Sequence, residues 1–183
     1  MVQSSSKALT LQEYLTIPAG DVAYELVDGQ AIAKVSPKFF HAGSQKILLR
    51  LLDDWCEQQQ CGQVYPEWGI TLKRNEVDWV PVPDLTYVSY DRLPDSWAED
   101  APCPVPPELA IEIILPDQTF GEMTEKATDY LSAGVSRVWV VDPRAKSITV
   151  FYPDAPPRTY TGETVLTDVL LPGLELTVRQ AFR

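Results

Sequence analysis

Two rhythms of apolar residues divide this chain. Phe40, Ile47, Leu48, Leu51, Leu52 and Trp55 recur at helical spacing, which predicts a helix over roughly 38–59, ended by the polar run Glu57 to Gln60 and by Gly62. Met123, Ala127, Tyr130 and Leu131 repeat that period, and Ala133-Gly134 supplies the stop. The second rhythm is short and strand-like. Pro107-Glu108-Leu109-Ala110-Ile111-Glu112-Ile113-Ile114-Leu115 is almost continuously apolar, as is Val138-Trp139-Val140-Val141, so both read as buried strands. Ile148 to Tyr152 alternates and pairs naturally with the latter. Tyr24 to Val27 and Ala31 to Val35 read as a hairpin turning at Asp28-Gly29, where both positions tolerate positive φ. Gln63 to Tyr65, Gly69 to Leu72 and Asp84 to Val88 are further strands, with Lys73-Arg74-Asn75 a polar turn.

Thr10-Leu11-Gln12-Glu13 has the form of a capping box and starts a short helix. Tyr90 to Pro107, rich in proline, reads as a long loop, of the kind that is usually functional or mobile. Beyond 150 come short strands and a final helical turn from Thr177 to Phe182. The order α-β-β-α-β-β-β-β-α-β-β predicts an α/β (α+β) fold, a mixed β-sheet flanked by helices with extra antiparallel strands. One domain over 1–183 is expected, with its C-terminal strands in 151–183.

Composition narrows the function. With 45% hydrophobic and 22% charged residues the chain is ordinary for a globular protein. Cys56, Cys61 and Cys103 lack metal-type spacing and the single histidine, His41, lies well upstream, which argues against structural zinc and for reduced thiols. No stretch is long and apolar enough to span a membrane, and Met1 to Ser6 lack the order of a signal peptide, so the cytoplasm is the expected location. The net charge of −11 argues against a broad basic surface for nucleic acid. Locally, Lys34, Lys38, Lys46 and Arg50 cluster near or on the first long helix. Lys46 and Arg50 share a face that could track phosphates or simply be solvated.

The chemistry starts with Glu112. A carboxylate inside a buried strand costs several kcal/mol of desolvation unless it has a partner, so it is either salt-bridged or there for chemistry. Asp84 begins a strand that could pair with it, and two adjacent carboxylates suit a hard divalent cation; the alternative for Asp84 is a turn residue after Pro83. Lys126 lies at the edge of the apolar arc of its helix. It either reaches back over the sheet toward Glu112 or snorkels on the helix flank.

Asp84 after Pro83, then Glu112 in a hydrophobic strand, then a lysine, resembles the PD-(D/E)xK nuclease superfamily. The usual lysine position, two residues after the acid, is Ile114 here. The order of motifs is more similar to the Uma family of restriction endonucleases, in which the following helix supplies the lysine. That resemblance rests on Tyr24 to Gly29, His41 before a helix, Val82-Pro83-Asp84-Leu85, Ala110 to Ile114, Glu125-Lys126 with Tyr130, and Ala133 to Val135 through Trp139 to Pro143, about 24–150 in all.

The resemblance implies a restriction-endonuclease-like core over that span and a metal-dependent endonuclease acting on DNA. Asp84 and Glu112 would ligate Mg²⁺ or Mn²⁺ with the backbone carbonyl of Ile113, and Lys126 would polarise the attacking water and stabilise charge on the phosphate. Glu25 would be an ancillary acid, or else a strand residue pairing with a lysine across its hairpin. His41, with Lys38 and Lys46, would contact nucleic acid; as a lone histidine at a helix start it could equally be structural. DNA binding would be weak and salt-sensitive, and a homodimer would cut both strands. Leu115-Pro116 stands where related sequences read serine-proline, and Asp117-Gln118-Thr119 follows. A catalytically inactive nuclease-fold module binding nucleic acid or a protein partner is the alternative.

Overall fold

The computed structural model describes residues 7–18, 20 and 22–182. Thr10 opens helix α1 (Leu11–Leu15) with both capping-box hydrogen bonds, its hydroxyl accepting from the Glu13 amide while the Glu13 carboxylate accepts from the Thr10 amide. Strands β1 (Tyr24–Val27) and β2 (Gln30–Ala33) form the expected hairpin, with Asp28 and Gly29 at φ 50° and 74°.

Helix α2 (Phe39–Gln59) ends where Gln60 turns left-handed, at φ 51°. Gly62, expected as the stop, instead begins β3 (Gly62–Pro66), and a Cβ there would collide with the Val88 carbonyl of the adjoining strand. Strands β4 (Leu72–Arg74) and β5 (Val77–Trp79) form a second hairpin around Asn75 and Glu76, both at positive φ. Lys73 and Arg74 therefore belong to a strand and not to a turn, and β5 is a strand the polarity pattern hid. Asn accepts positive φ readily; Glu76 does so only because the hairpin holds it there. The strand expected from Gly69 reduces to a bridge between Ile70 and Cys103 before β4.

Then come β6 (Leu85–Ser89), β7 (Leu109–Ile113), α3 (Phe120–Ser132), β8 (Arg137–Asp142), β9 (Ser147–Phe151), β10 (Arg158–Thr161), β11 (Val165–Leu166) and β12 (Leu176–Thr177), closed by a 3-10 turn over Val178–Ala181. Six strands lie in the order β10-β9-β8-β7-β6-β3. Only β7 and β8 run parallel, because α3 crosses between them. The chain thus has the mixed α+β architecture its pattern predicts.

Strand alternation sorts the core into two layers. Leu85, Tyr87, Ile111, Ile113 and Trp139 face α2, where Leu48, Leu52 and Trp55 meet them together with the C-terminal segment. Val88, Ala110, Val138 and Val140 face the other way, against Met123, Ala127 and Tyr130 of α3 and Trp79 of β5. Glu112 has the parity of Ala110 and so faces α3. Among the described residues no helix is long and apolar enough to cross a membrane.

Candidate active site

In the β6–β7 ladder Leu85 sits opposite Ile111, so one step further Asp84 stands opposite Glu112 on the same face. Side chains so placed are neighbours. Pro83, next in line, has no N–H and ends the ladder. The Ile113 amide that would have joined it donates instead to Asp84 Oδ2, at 2.6 Å. In an extended strand the N–H and C=O of one residue point to the same side. The Ile113 carbonyl therefore looks toward the same opening, with no proline N–H to receive.

Each carboxylate is held by a different part of the chain. Asp84 Oδ2 also lies 3.0 Å from Nε2 of His41, in the first turn of α2, and its Oδ1 accepts from Lys34 Nζ at 3.0 Å. Burial works to raise the Asp84 pKa, but the His41 hydrogen bond and the Lys34 charge prevail and hold it below the usual carboxylate value. Glu112 Oε1 accepts from the Tyr130 hydroxyl at 2.7 Å and lies 3.0 Å from Lys126 Nζ, both from α3. Burial, with the charges of Asp84 and Glu25 beside it, pushes the Glu112 carboxyl up despite Lys126. Two acids on facing strands are thus driven in opposite directions, a pattern typical of sites that do chemistry.

Lys126 is shared. Its Nζ reaches Glu25 Oε1 at 2.9 Å, and Glu25 is fixed by accepting from the Val82 amide at the same distance. The cross-strand partner of Glu25 in its hairpin is Ile32, not a lysine. Burial would lower the Lys126 pKa, but Glu112 and Glu25 more than offset it and keep the ammonium charged. Lys34 makes a matching bridge from Asp84 to Glu67, and Gln45 Nε2 donates to Glu67 at 2.8 Å and to the Asp84 carbonyl at 3.0 Å.

These groups line one cleft of about 230 Å³. Of the expected site residues, Asp84, Glu112, Lys126, Glu25, His41 and Ile113 all meet there. Lys38 and Lys46 do not. Lys38 sits on the rim and pairs with Asp117 at 3.3 Å, and Lys46 is exposed along α2. His41, at 5% exposure, is a hydrogen-bond partner of Asp84 and not a surface contact. The turn after β7 is satisfied from within: Gln118 accepts from the Leu115 amide, and Thr119 caps α3. Lys34 and Glu67 were not predicted as site residues. They come from a strand end and from a left-handed position after Pro66, at φ 52°, and no sequence spacing ties them to Asp84.

The donor set fits a hard divalent ion. Four carboxylates (Glu25, Glu67, Asp84, Glu112) face two ammonium groups (Lys34, Lys126), an excess of two negative charges when all are ionised. Among the described residues no three acidic, histidine or cysteine side chains converge to cage an ion. Hard divalent ions such as Mg²⁺ are commonly held by one or two carboxylates, with water and phosphate oxygens filling the remaining positions.

The Uma2 family model, described as "Putative restriction endonuclease", matches residues 11–179. Among solved structures, the crystal structure of a "putative nuclease belonging to DUF820" from Anabaena variabilis ATCC 29413 matches with a TM-score of 0.81 at 23% identity, over 95% of this chain and 97% of that one. At that identity the likeness is one of fold. No curated protein matches the chain in sequence.

Proposed function

This chain belongs to the Uma2 family, and from that premise we propose that it is a divalent-metal-dependent endonuclease hydrolysing phosphodiester bonds of DNA. One observation carries the reading: Asp84 and Glu112 face each other across a ladder that Pro83 ends, with Lys126 at 3.0 Å from Glu112. Asp84, Glu112 and the Ile113 carbonyl would hold Mg²⁺ or Mn²⁺. The ion would supply Lewis-acid polarisation of a phosphate oxygen and of the attacking water.

The chain's own groups do the rest. His41 and the Ile113 amide orient Asp84 and keep it ionised, so a ligand charge is present at neutral pH. Tyr130 fixes the rotamer of Glu112 through Oε1. Lys126 stays an ammonium, which suits it to hold water and to stabilise negative charge developing on the phosphate, and unsuits it as a general base. Glu25 anchors Lys126 from the β1 hairpin and is the ancillary acid. A single cleft cuts one strand at a time; a homodimer would let both strands of a duplex be cut together. Binding is weak and salt-sensitive, since few cations are on offer beside a net charge of −11.

Plasmid and single-stranded circular DNA, each incubated with the purified chain and Mg²⁺ or Mn²⁺, test the reading, with Glu112→Gln and Lys126→Ala alongside. Nicking by the unaltered chain that both substitutions and EDTA remove is the expected result. Equal nicking by all three proteins would point to a contaminant and end the proposal, as would no cleavage at all.

A further inference from the structure

A second cavity of about 460 Å³ adjoins the cleft, and His41, Leu115 and Gln118 line both. Its walls are unusual for a protein surface. Phe40 is 66% exposed and Phe120 46%, and both face this space. Two of the chain's five phenylalanines thus line this cavity instead of the core, and a third, Phe39, is 72% exposed beside Phe40. Each ring is propped from behind. Phe40 meets Phe39 edge-on at 5.4 Å, and Phe120 rests against the buried Phe151 at 6.4 Å.

The polar groups complete the picture. Lys38 and the exposed Arg144 stand at the cavity's edge, one from the start of α2 and one from the β8–β9 turn. Asp142 also lines it, its carboxylate accepting from the Arg144 and Ala145 amides at 2.8 and 3.0 Å, and Lys38 is paired with the exposed Asp117 at 3.3 Å, a contact that a phosphate would displace. Flat apolar faces between two cations, directly beside a cleft suited to a phosphate, match one ligand chemistry: a nucleobase still joined to its backbone. The volume suits an organic ligand of that size. A paired base is stacked inside its duplex and could not enter such a cavity without being extruded.

Resting on the nuclease reading above, the geometry points to a binding site for an unpaired nucleobase between Phe40 and Phe120, which makes single-stranded or flapped nucleic acid the substrate class. The base flanking the cut phosphate stacks on the two rings while Lys38 and Arg144 meet the neighbouring phosphates. This resolves how a chain of charge −11 holds a polyanion. Stacking on aromatic side chains supplies affinity that does not depend on a basic surface and tolerates any base.

The test uses the full chain in EDTA, so that no strand is cut, titrated into labelled oligothymidylate of about twelve nucleotides. A matched duplex and an abasic strand with the same phosphates serve as comparisons, and oligouridylate distinguishes RNA from DNA strands. Oligothymidylate is expected to bind about tenfold or more tightly than the abasic strand and the duplex, and Phe40→Ala or Phe120→Ala each to lose about tenfold on it with no change on the abasic strand. Phe40→Trp keeps the affinity, because a larger ring stacks as well, and shows that the ring and not the fold is being read. Equal binding of abasic and base-bearing strands, duplex binding as tight as single-strand binding, or alanine variants that bind like the unaltered chain would each overturn the site. Self-association abolished by Phe40→Ala, with strand binding unchanged, would assign the patch to a second copy instead. Cleavage with Mn²⁺ is measured separately: a chain that cuts duplex and ignores Phe40→Ala keeps the nuclease reading and loses this one, whereas base-dependent binding without cleavage does the reverse.

Discussion

Glu108, just before β7, and Glu112, near its other end, share a face by strand alternation and are both buried, yet their surroundings differ in kind. Glu108 is saturated by fixed donors. Its Oε2 accepts from the Ser89 amide at 2.9 Å, and its Oε1 accepts from the Ser89 hydroxyl at 2.6 Å and pairs with Arg92 Nε at 2.9 Å. One carboxylate meets one guanidinium there, and the account closes within the protein. Glu112 meets Tyr130 and a lysine it must share with Glu25, faces Asp84, and has both contacts on one oxygen. A buried acid of the first kind holds the fold together. The second kind leaves negative charge uncompensated and a carboxyl pKa raised, an arrangement that a cation would relieve.

The largest effect expected is on catalysis. Glu112→Gln should reduce metal-dependent cleavage by at least about a hundredfold, while the melting temperature of the metal-free protein does not fall. The neutral side chain keeps the Tyr130 contact and removes a charge the site disfavours. A variant that still cuts at the normal rate would erase the distinction between the two ends of β7.

Glu108→Gln should do the opposite. It leaves Arg92 without its counter-charge, which costs about 1.5–3 kcal/mol. For a chain of this size that lowers the melting temperature by roughly 2–4 °C per kcal/mol. Cleavage per folded molecule stays the same. Calorimetric melting with a parallel nicking assay reads both.

A smaller, graded effect concerns pH. The folded, metal-free protein holds a proton on Glu112 above the ordinary glutamate pKa, and a metal binds only the deprotonated carboxylate. Affinity for Mn²⁺ therefore falls as pH drops below that raised value, by up to about tenfold per pH unit for one displaced proton, and is flat above it. Titration calorimetry in buffers of different ionisation enthalpy would show proton release on binding. In Glu112→Gln that release should vanish. The same proton makes the Glu112 contribution to metal-free stability largest below the unfolded pKa and progressively lost as pH rises through the folded one.

The smallest effect belongs to the helix stripe. Lys46→Ala, at an exposed position of α2 that does not line the cleft, should change stability by less than about 0.5 kcal/mol. Its influence on DNA binding should be a small reduction in salt dependence, read from affinity at two salt concentrations.

How much of this was legible beforehand follows from locality. The continuous apolar run around Glu112, the helix carrying Lys126 and Tyr130, and the hairpin at Asp28-Gly29 are each set by neighbours in sequence, and each was predictable from spacing. The hairpin at Asn75-Glu76 escaped because Glu76 takes positive φ against its own preference, held by a ladder that sequence does not display. Lys34 and Glu67 escaped for a stronger reason. They reach Asp84 across separations of 50 and 17 positions, and nothing in a strand end or a post-proline residue announces such a meeting.

By itself the sequence determined both long helices and most of the strands of the central sheet, though not the separate Asn75-Glu76 hairpin. It also determined which face of each helix is apolar, and that a carboxylate stands where the core wants an aliphatic side chain. Only the tertiary structure decided that Asp84 lies opposite Glu112, that Lys126 bridges Glu112 to Glu25, and that Lys34 closes a second bridge to Glu67. The reason is physical. Hydrophobic periodicity is written along the chain, but a charge cluster depends on strand register and helix docking, which are fixed only when the two core layers pack on the sheet.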